Sequence, residues 1–351
     1  MPDVRNILVI QTAFPGDVIL TLPMVQQLRK FHPEAGIDLL VTPSSAELLR
    51  NHPAIRSALS YDKRNTESGI GGFLQQVKKI RSLGYGLAII PHRSIRSASL
   101  ALAGGIPARI GFETSAGRSL LTGRVPYDPS AHEVDRNLSL LTAIGLTRPS
   151  REFPELYPSD DDRGRVASVL EEAGIGGGVV VGIAPGTVWN TKQWLPERFA
   201  ECIRSLRNDG IHVVLVGGSQ DRELCRRLAG AEGGSGRVLP AAGLLTFLQS
   251  AELIRRCAVL VSNDSAPMHL ALAMRTPVVA IFGATVPAFG FAPFGDRDIV
   301  LGTDGLRCRP CSIHGSSVCP IGTFECMTGV PASSVLEKVR SILGVAEAGR
   351  T

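Results

Sequence analysis

Residues 259–273, VLVSNDSAPMHLALA, read as a buried strand that turns at Asn263, Asp264 and Ser265 straight into a helix. Pro267 suits the first helical turn, where a missing N–H costs nothing. A helix start of this kind leaves backbone N–H groups and a positive dipole end that together suit an anion. Asp264, Ser265, Ala266 and His269 gather there, His269 one turn in on the face of Ser265. A capped structural helix and a phosphate site both fit this stretch alone, so the rest of the chain must decide between them.

Three other turns carry matching chemistry. At Phe14-Pro15-Gly16-Asp17 a carboxylate follows a strand. Asp17 can cap a helix, or act as a general base on an incoming hydroxyl, an effect worth about 10²–10⁴-fold; the two roles are compatible. Residues 185–194, PGTVWNTKQW, combine a Pro-Gly turn, hydroxyls including Thr187, and Lys192. A lysine is a flexible point charge suited to phosphate, and the alternative is a solvated loop whose tryptophans shield the core. Residues 216–221, VGGSQD, place two glycines and Asp221 after a strand. This is neither a dinucleotide fingerprint nor a Walker loop; Asp221 can cap a helix or bond ribose hydroxyls.

Arg93, Arg96, Arg109, Arg118 and Arg124 face a single acid, Glu113, across 32 residues of chain. Such a group suits an anionic acceptor, an anionic membrane surface, or simply solvent. Cys308, Cys311, Cys319 and Cys326 follow an x2, x7, x6 spacing around His314. The first pair is spaced like zinc ligands, but no second CxxC closes the set. Free thiols in an ordered loop are the default, and Cys202, Cys225 and Cys257 read as small buried apolar residues.

These turns need strands and helices to hold them. Strands are expected over 6–11, 37–41 and 87–90, with helices over 18–33 (kinked at Pro23), 46–51 and 73–83, the last with basic residues on its exposed face. Pro149, Pro154 and Pro158 punctuate a connection. A second series follows: helix 160–173, strand 179–186, helix 199–208, strand 213–216, helices 222–229 and 245–257, strands 258–262 and 277–282. Alternation of this kind means βαβ units and parallel sheets. The expected architecture is α/β with two Rossmann-like domains, 1–158 and 159–351, facing a central cleft. The last helix, 333–343, could pack on either domain. The four turns all fall at carboxyl ends of strands, where open α/β sheets bind ligands.

Composition excludes several classes. A chain of 351 residues exceeds one core. A net charge of +5 with only 5% aromatic residues argues against nucleic-acid binding. No apolar run could span a bilayer, and the first residues read as a strand rather than a signal peptide. Seven cysteines, four of them clustered, suggest reduced thiols and a cytoplasmic setting.

Taken together, the residues resemble the ADP-heptose:lipopolysaccharide heptosyltransferases, inverting GT-B enzymes of glycosyltransferase family 9. The resemblance rests on FPGDV, AGGIPARIGF, PGTVWNTKQWLPERFA, VVLVGGSQD and VSNDSAPMHLALAMRTPVVAIFGAT, in that order along the chain. It implies that Asp17 is the catalytic base, and that Thr187 and Lys192 contact donor phosphate. Asp221 would bind ribose, and main chain near Leu245 would meet adenine. Asp264, Ser265, Ala266 and His269 match the diphosphate and sugar loop. Gly16, Arg93 and Arg96 are expected on the acceptor side. Ala266 stands where many members have glycine, so the backbone there should not need positive φ. Asp221 is shorter than the usual glutamate. The cysteine-rich tail is similar to that of longer members grouped with heptosyltransferase II.

The resemblance implies ADP-heptose as donor and a lipid-linked Kdo/heptose inner-core acceptor, with no metal or other cofactor required. Peripheral contact with the cytoplasmic face of the inner membrane follows. The second heptose addition is favoured, with heptosyltransferase I type activity, another GT-B nucleotide-sugar enzyme such as an epimerase, and a non-catalytic nucleotide-binding protein as the alternatives.

Overall fold

The computed structural model describes residues 4–230 and 237–344. The first half alternates strand and helix as its short apolar runs require: β1 (Asn6–Ile10), α1 (Pro15–Phe31), β2 (Gly36–Val41), α2 (Pro43–Ala46), β3 (Ser57–Ser60), α3 (Gly69–Leu83), β4 (Leu87–Ile90), α4 (Ile95–Ala103), β5 (Ala108–Phe112), β6 (Gly123–Val125) and α5 (Glu133–Ser139). The second half continues with α6 (Asp160–Glu172), β7 (Val180–Ala184), α7 (Pro196–Asn208), β8 (His212–Leu215), α8 (Arg222–Gly230), β9 (Val238–Pro240), α9 (Phe247–Arg255), β10 (Val259–Asn263), α10 (Ala266–Ala273), β11 (Val278–Phe282), β12 (Ile299–Gly302), α11 (Glu325–Thr328) and α12 (Ala332–Leu343).

The chain divides between Tyr157 and Pro158 into two units, each with its own apolar core. The first sheet runs β3-β2-β1-β4-β5-β6 and the second β12-β11-β10-β7-β8-β9, all pairs parallel. Counted within its own unit, each sheet has the dinucleotide-binding order 3-2-1-4-5-6. The two units therefore share a topology although the sequence shows no usable repeat. Winding reverses between β1 and β4 in the first sheet, and between β7 and β10 in the second. The loops leaving those strands part at their carboxyl ends, the place at which open α/β sheets bind ligands. Strands β1, β7, β10 and β11 are buried on both faces, which explains their unbroken apolar runs.

Several expected boundaries move. Helix α1 begins at Pro15, so Asp17 is its third residue, and it runs through Pro23 to Phe31. The short helix expected at 46–51 is α2 followed by a 3₁₀ turn, Glu47–Leu49. Helix α3 starts four residues early, at Gly69. Helix α9 starts at Phe247, after a Thr246 cap, which leaves Leu245 in the preceding loop. The last helix, α12, belongs to the second unit: Val335, Leu336 and Val339 join the core around Trp194 and Phe199. Among the described residues no helix is long and apolar enough to cross a membrane.

Candidate active site

In the second unit Asn263, the last residue of β10, organises the neighbouring loops. Its Oδ1 accepts from the Trp194 N–H at 3.0 Å, and its Nδ2 donates to the Pro185 carbonyl at 2.9 Å. The chain then turns through Asp264 and Ser265 into α10. Ser265 is the N-cap in extended conformation, and its hydroxyl lies 3.4 Å from the Asn263 carbonyl. Ala266 opens the helix, and it is absent from the non-glycine residues with positive φ. Alanine is thus unstrained at this position. His269 lies one turn in and is buried.

The Asp264 carboxylate is buried and held from two sides. Its Oδ2 accepts from the Thr285 hydroxyl at 2.7 Å and pairs with Lys192 Nζ at 2.6 Å. Lys192 arrives from the 3₁₀ turn Asn190–Lys192, which follows β7. Asp264 therefore acts on Lys192: a bare carboxylate would repel an anion, whereas this one fixes a cation beside the start of α10.

Asp221 ends the 3₁₀ turn Ser219–Asp221 after β8, and its Oδ2 accepts from the Gly218 N–H at 2.8 Å. Burial pushes its carboxyl above the usual range, with the Gly218 bond opposing. Gly186 makes this position possible, since a Cβ there would lie 2.0 Å from Asp221 Oδ1. Half-buried Thr187 follows directly. The loop carrying Leu245 runs alongside, because the Gly243 N–H donates to the Gly217 carbonyl at 3.0 Å. Thr187, Lys192, Asp221, Leu245 and the α10 start thus belong to one end of one sheet.

The cysteine segment is fastened to the same end by residues that the sequence did not single out. Arg309 donates to the carbonyls of Gly283 at 2.8 Å and Thr285 at 3.2 Å. Ser316 and Thr191 exchange backbone and hydroxyl bonds of 2.8–3.0 Å. All four cysteines are free thiols. Among the described residues no three His, Cys, Asp or Glu side chains are grouped to hold a metal ion, so the zinc alternative for Cys308, Cys311, Cys319 and Cys326 gains no geometric support.

In the first unit Asp17 does cap its helix, from the third position rather than the N-cap itself. The Phe14 N–H donates to its Oδ2 at 3.1 Å, and Gly16 is buried beside it. Around this turn stand several cations. Lys63 donates to Thr12 Oγ1 at 3.1 Å. Arg64 lies 5.6 Å from the centre of the Phe14 ring, Arg93 4.2 Å from that of Tyr127, and Arg96 5.5 Å from that of Tyr61. Burial lowers the Lys63 ammonium, and the charges of Arg64 and Arg96 lower it further. Such a crowd is poised for an anion. His92 Nδ1 sits between the Thr12 and Ser97 hydroxyls at 3.1 and 3.0 Å. Burial first, then Lys63 and Arg93, push it down to about 4, so it is neutral near pH 7.

The five arginines differ in their surroundings. Arg109 is spent on structure, donating to the carbonyls of Leu120, Ile106 and Pro107. Arg118 and Arg124 are exposed, on a 3₁₀ turn and on β6. Lys63 and Arg64 replace them, and their only sequence signal was a Lys-Arg pair two residues beyond Tyr61. Glu133 was also missed. Asn137 Nδ2 donates to the Leu20 carbonyl at 3.1 Å and sets the start of α5 beside the start of α1. Glu133 pairs with buried Arg136 at 2.8 Å. Burial pushes the Glu133 carboxyl up; Arg136 opposes this, and the charge of Asp17 adds to it.

Two parallel α/β units, each of dinucleotide-binding strand order, make the GT-B fold. The chain belongs to glycosyltransferase family 9 (heptosyltransferase), whose family model matches residues 73–321. It is 29% identical to lipopolysaccharide heptosyltransferase 3 of Escherichia coli over 282 residues, covering 78% of this chain and 82% of that protein. It is also 29% identical to lipopolysaccharide heptosyltransferase 1 of Pseudomonas aeruginosa over 319 residues, covering 87% and 86%. The solved structure of Escherichia coli ADP-heptose heptosyltransferase II superposes with a TM-score of 0.80 at 24% identity, covering 98% of this chain and all of that one. Types 1 and 3 match at equal identity, so the transferase class is common ground and the acceptor is not.

Proposed function

We propose that the protein transfers L-glycero-D-manno-heptose from ADP-heptose to a heptose hydroxyl of the lipopolysaccharide inner core, with inversion, as a heptosyltransferase of the second type. The observation that carries the reading is the Lys192–Asp264 pair at the start of α10. It places a fixed cation where a helix N-terminus already favours phosphate. The names of the relatives agree with heptose transfer to lipopolysaccharide, and the cysteine-rich tail supports the second type.

Asp17 takes the proton of the acceptor hydroxyl as it attacks the anomeric carbon opposite the leaving ADP. The sugar passes through an oxocarbenium-like state. Negative charge collects on the departing diphosphate, where Lys192, the α10 start at Ala266 and the Ser265 hydroxyl stabilise it. Thr187 adds a phosphate contact, Asp221 holds ribose, main chain at Leu245 meets adenine, and His269 lies toward the sugar. This set does the work of a divalent metal, so no cofactor is needed. Gly16, Arg93 and Arg96, joined by Lys63 and Arg64, take the anionic acceptor. The setting is the cytoplasmic face of the inner membrane.

The experiment is incubation with ADP-heptose and inner-core acceptors carrying no, one or two heptoses, with products read by mass spectrometry. One heptose added to the mono-heptosylated acceptor is expected. Addition only to another acceptor reassigns the type. Donor turnover without acceptor identifies an epimerase or hydrolase, and binding of ADP without turnover identifies a non-catalytic protein.

A further inference from the structure

Helix α3 buries Gln76, Val77 and Ile80 against the first core. Its outward side carries Ile70, 79% exposed, and Leu74, 58% exposed, one turn apart. Lys78 continues that row by another turn, with Lys79 and Arg81 exposed nearby. The helix contains no acidic residue. At the start of α4, Ile95 is 57% exposed. The adjoining Arg96 donates to the Gly69 carbonyl at 3.0 Å, which joins the two helix starts. A single exposed isoleucine needs no explanation. Three large apolar side chains on joined helix starts, rimmed by cations, do need one.

The nearby acids are engaged within their own loop. Asp62 accepts from Asn65 and Thr66, and Glu67 accepts from the Asp62 N–H and from Gln76. Lys63, Arg64 and Arg96 cluster between this face and the Asp17 turn. The face is therefore apolar at its centre and cationic at its edge. A second copy docked through the same patch would set cations against cations, because a two-fold contact repeats the patch on both sides. An anionic lipid surface meets both features at once.

We propose that this face docks on an anionic bilayer: Ile70, Leu74 and Ile95 enter the boundary between headgroups and acyl chains while Arg64, Lys78 and Lys79 meet lipid phosphates. Its purpose rests on the proposed function, since a lipid-linked acceptor is presented at such a surface; its geometry does not. Docking here brings the membrane to the same part of the first unit as the cations around Asp17.

The test is sedimentation of the full chain with vesicles of phosphatidylglycerol and phosphatidylethanolamine, and with vesicles of phosphatidylcholine alone. The wild type should pellet with the anionic vesicles and be released by salt. Ile70→Ser/Leu74→Ser should lower partitioning about tenfold or more. Lys78→Glu/Lys79→Glu should lower it about fivefold or more. All four positions are exposed, so thermal unfolding should be unchanged, as should turnover on a soluble, delipidated acceptor.

Absence of binding, equal binding to neutral vesicles, or variants that pellet like the wild type would each overturn the proposal. So would a dimer, seen by light scattering, that Ile70→Ser/Leu74→Ser dissociates while vesicles bind nothing; that result gives the face to a second copy. The assay contains no nucleotide sugar, so failure of docking and failure of heptose transfer are read separately.

Discussion

Lys192 and Asp264 meet at 2.6 Å although they leave the second sheet from different strands, β7 and β10, and Thr285 beyond β11 secures the contact at 2.7 Å. Both side chains are largely buried, so the attraction is offset by desolvation and adds little net stability. What the pair provides is placement. A free lysine would sample many rotamers; this one is held beside the α10 start before any ligand arrives.

Lys192→Ala should lower kcat/KM for ADP-heptose by about 10²-fold or more, and wild-type turnover should persist in EDTA. Because the single change strands the Asp264 carboxylate, Lys192→Ala/Asp264→Asn should recover thermal stability without recovering turnover. Steady-state kinetics and thermal unfolding check both. An unchanged donor response, or strict dependence on added Mg²⁺, contradicts the assignment.

Gly186→Ala tests the route from the Pro-Gly turn to Asp221. The added methyl would sit 2.0 Å from Asp221 Oδ1, so the carboxylate must leave its place against the Gly218 N–H. Affinity for ADP, measured by calorimetry, should fall about tenfold, as expected for one lost hydrogen-bonding group.

The central strands were legible because parallel strands buried on both faces read as plain apolar runs. β1, β4, β7, β10 and β11 stand within a residue or two of expectation. The short strands β3, β9 and β12 were not legible, being only part-buried and three or four residues long. The shared strand order is not legible in the sequence, because a parallel sheet asks only for apolar runs of suitable length, which unrelated sequences supply. At the candidate site, strand-end turns give Asp17, Lys192, Asp221 and Asp264 their place, while the adenine contact expected near Leu245 comes from family resemblance alone. A run of arginines could not show that Arg109 is occupied by carbonyls. Nor could local sequence bring Lys63, Arg64 and Glu133 to the Asp17 turn, because strand pairing and helix packing do that across long separations.

If Arg93 and Arg96 take the anionic acceptor as proposed, Arg93→Ala and Arg96→Ala should each raise the acceptor KM about tenfold and leave the donor KM nearly unchanged. Substrate-saturation kinetics with each substrate varied in turn check this. A donor KM that rises as much as the acceptor KM would move both arginines out of the acceptor site.

Acid should weaken the first unit through His52. Its imidazole is buried, accepts from the Ala54 N–H at 3.2 Å and packs edge-on against Tyr157. Burial pushes it down from 6.5 to about 4, with the Glu155 charge opposing. A group whose folded value is depressed contributes fully above its unfolded value, and that contribution is lost as pH falls from about 6.5 toward about 4. The loss amounts to about 3 kcal/mol. Urea unfolding of wild type and His52→Asn should show a stability difference that shrinks across that window. A difference independent of pH would contradict it.

The most direct measurement is the turnover of Asp17→Asn at saturating ADP-heptose and acceptor, with folding verified by circular dichroism and ADP binding intact. The substitution keeps the shape and a capping oxygen for the Phe14 N–H, and removes the negative charge together with the ability to accept the acceptor proton. If Asp17 is the base, kcat falls about 10²–10⁴-fold while affinity for ADP stays the same. A loss below tenfold in a folded, ADP-binding variant would show that Asp17 only caps α1.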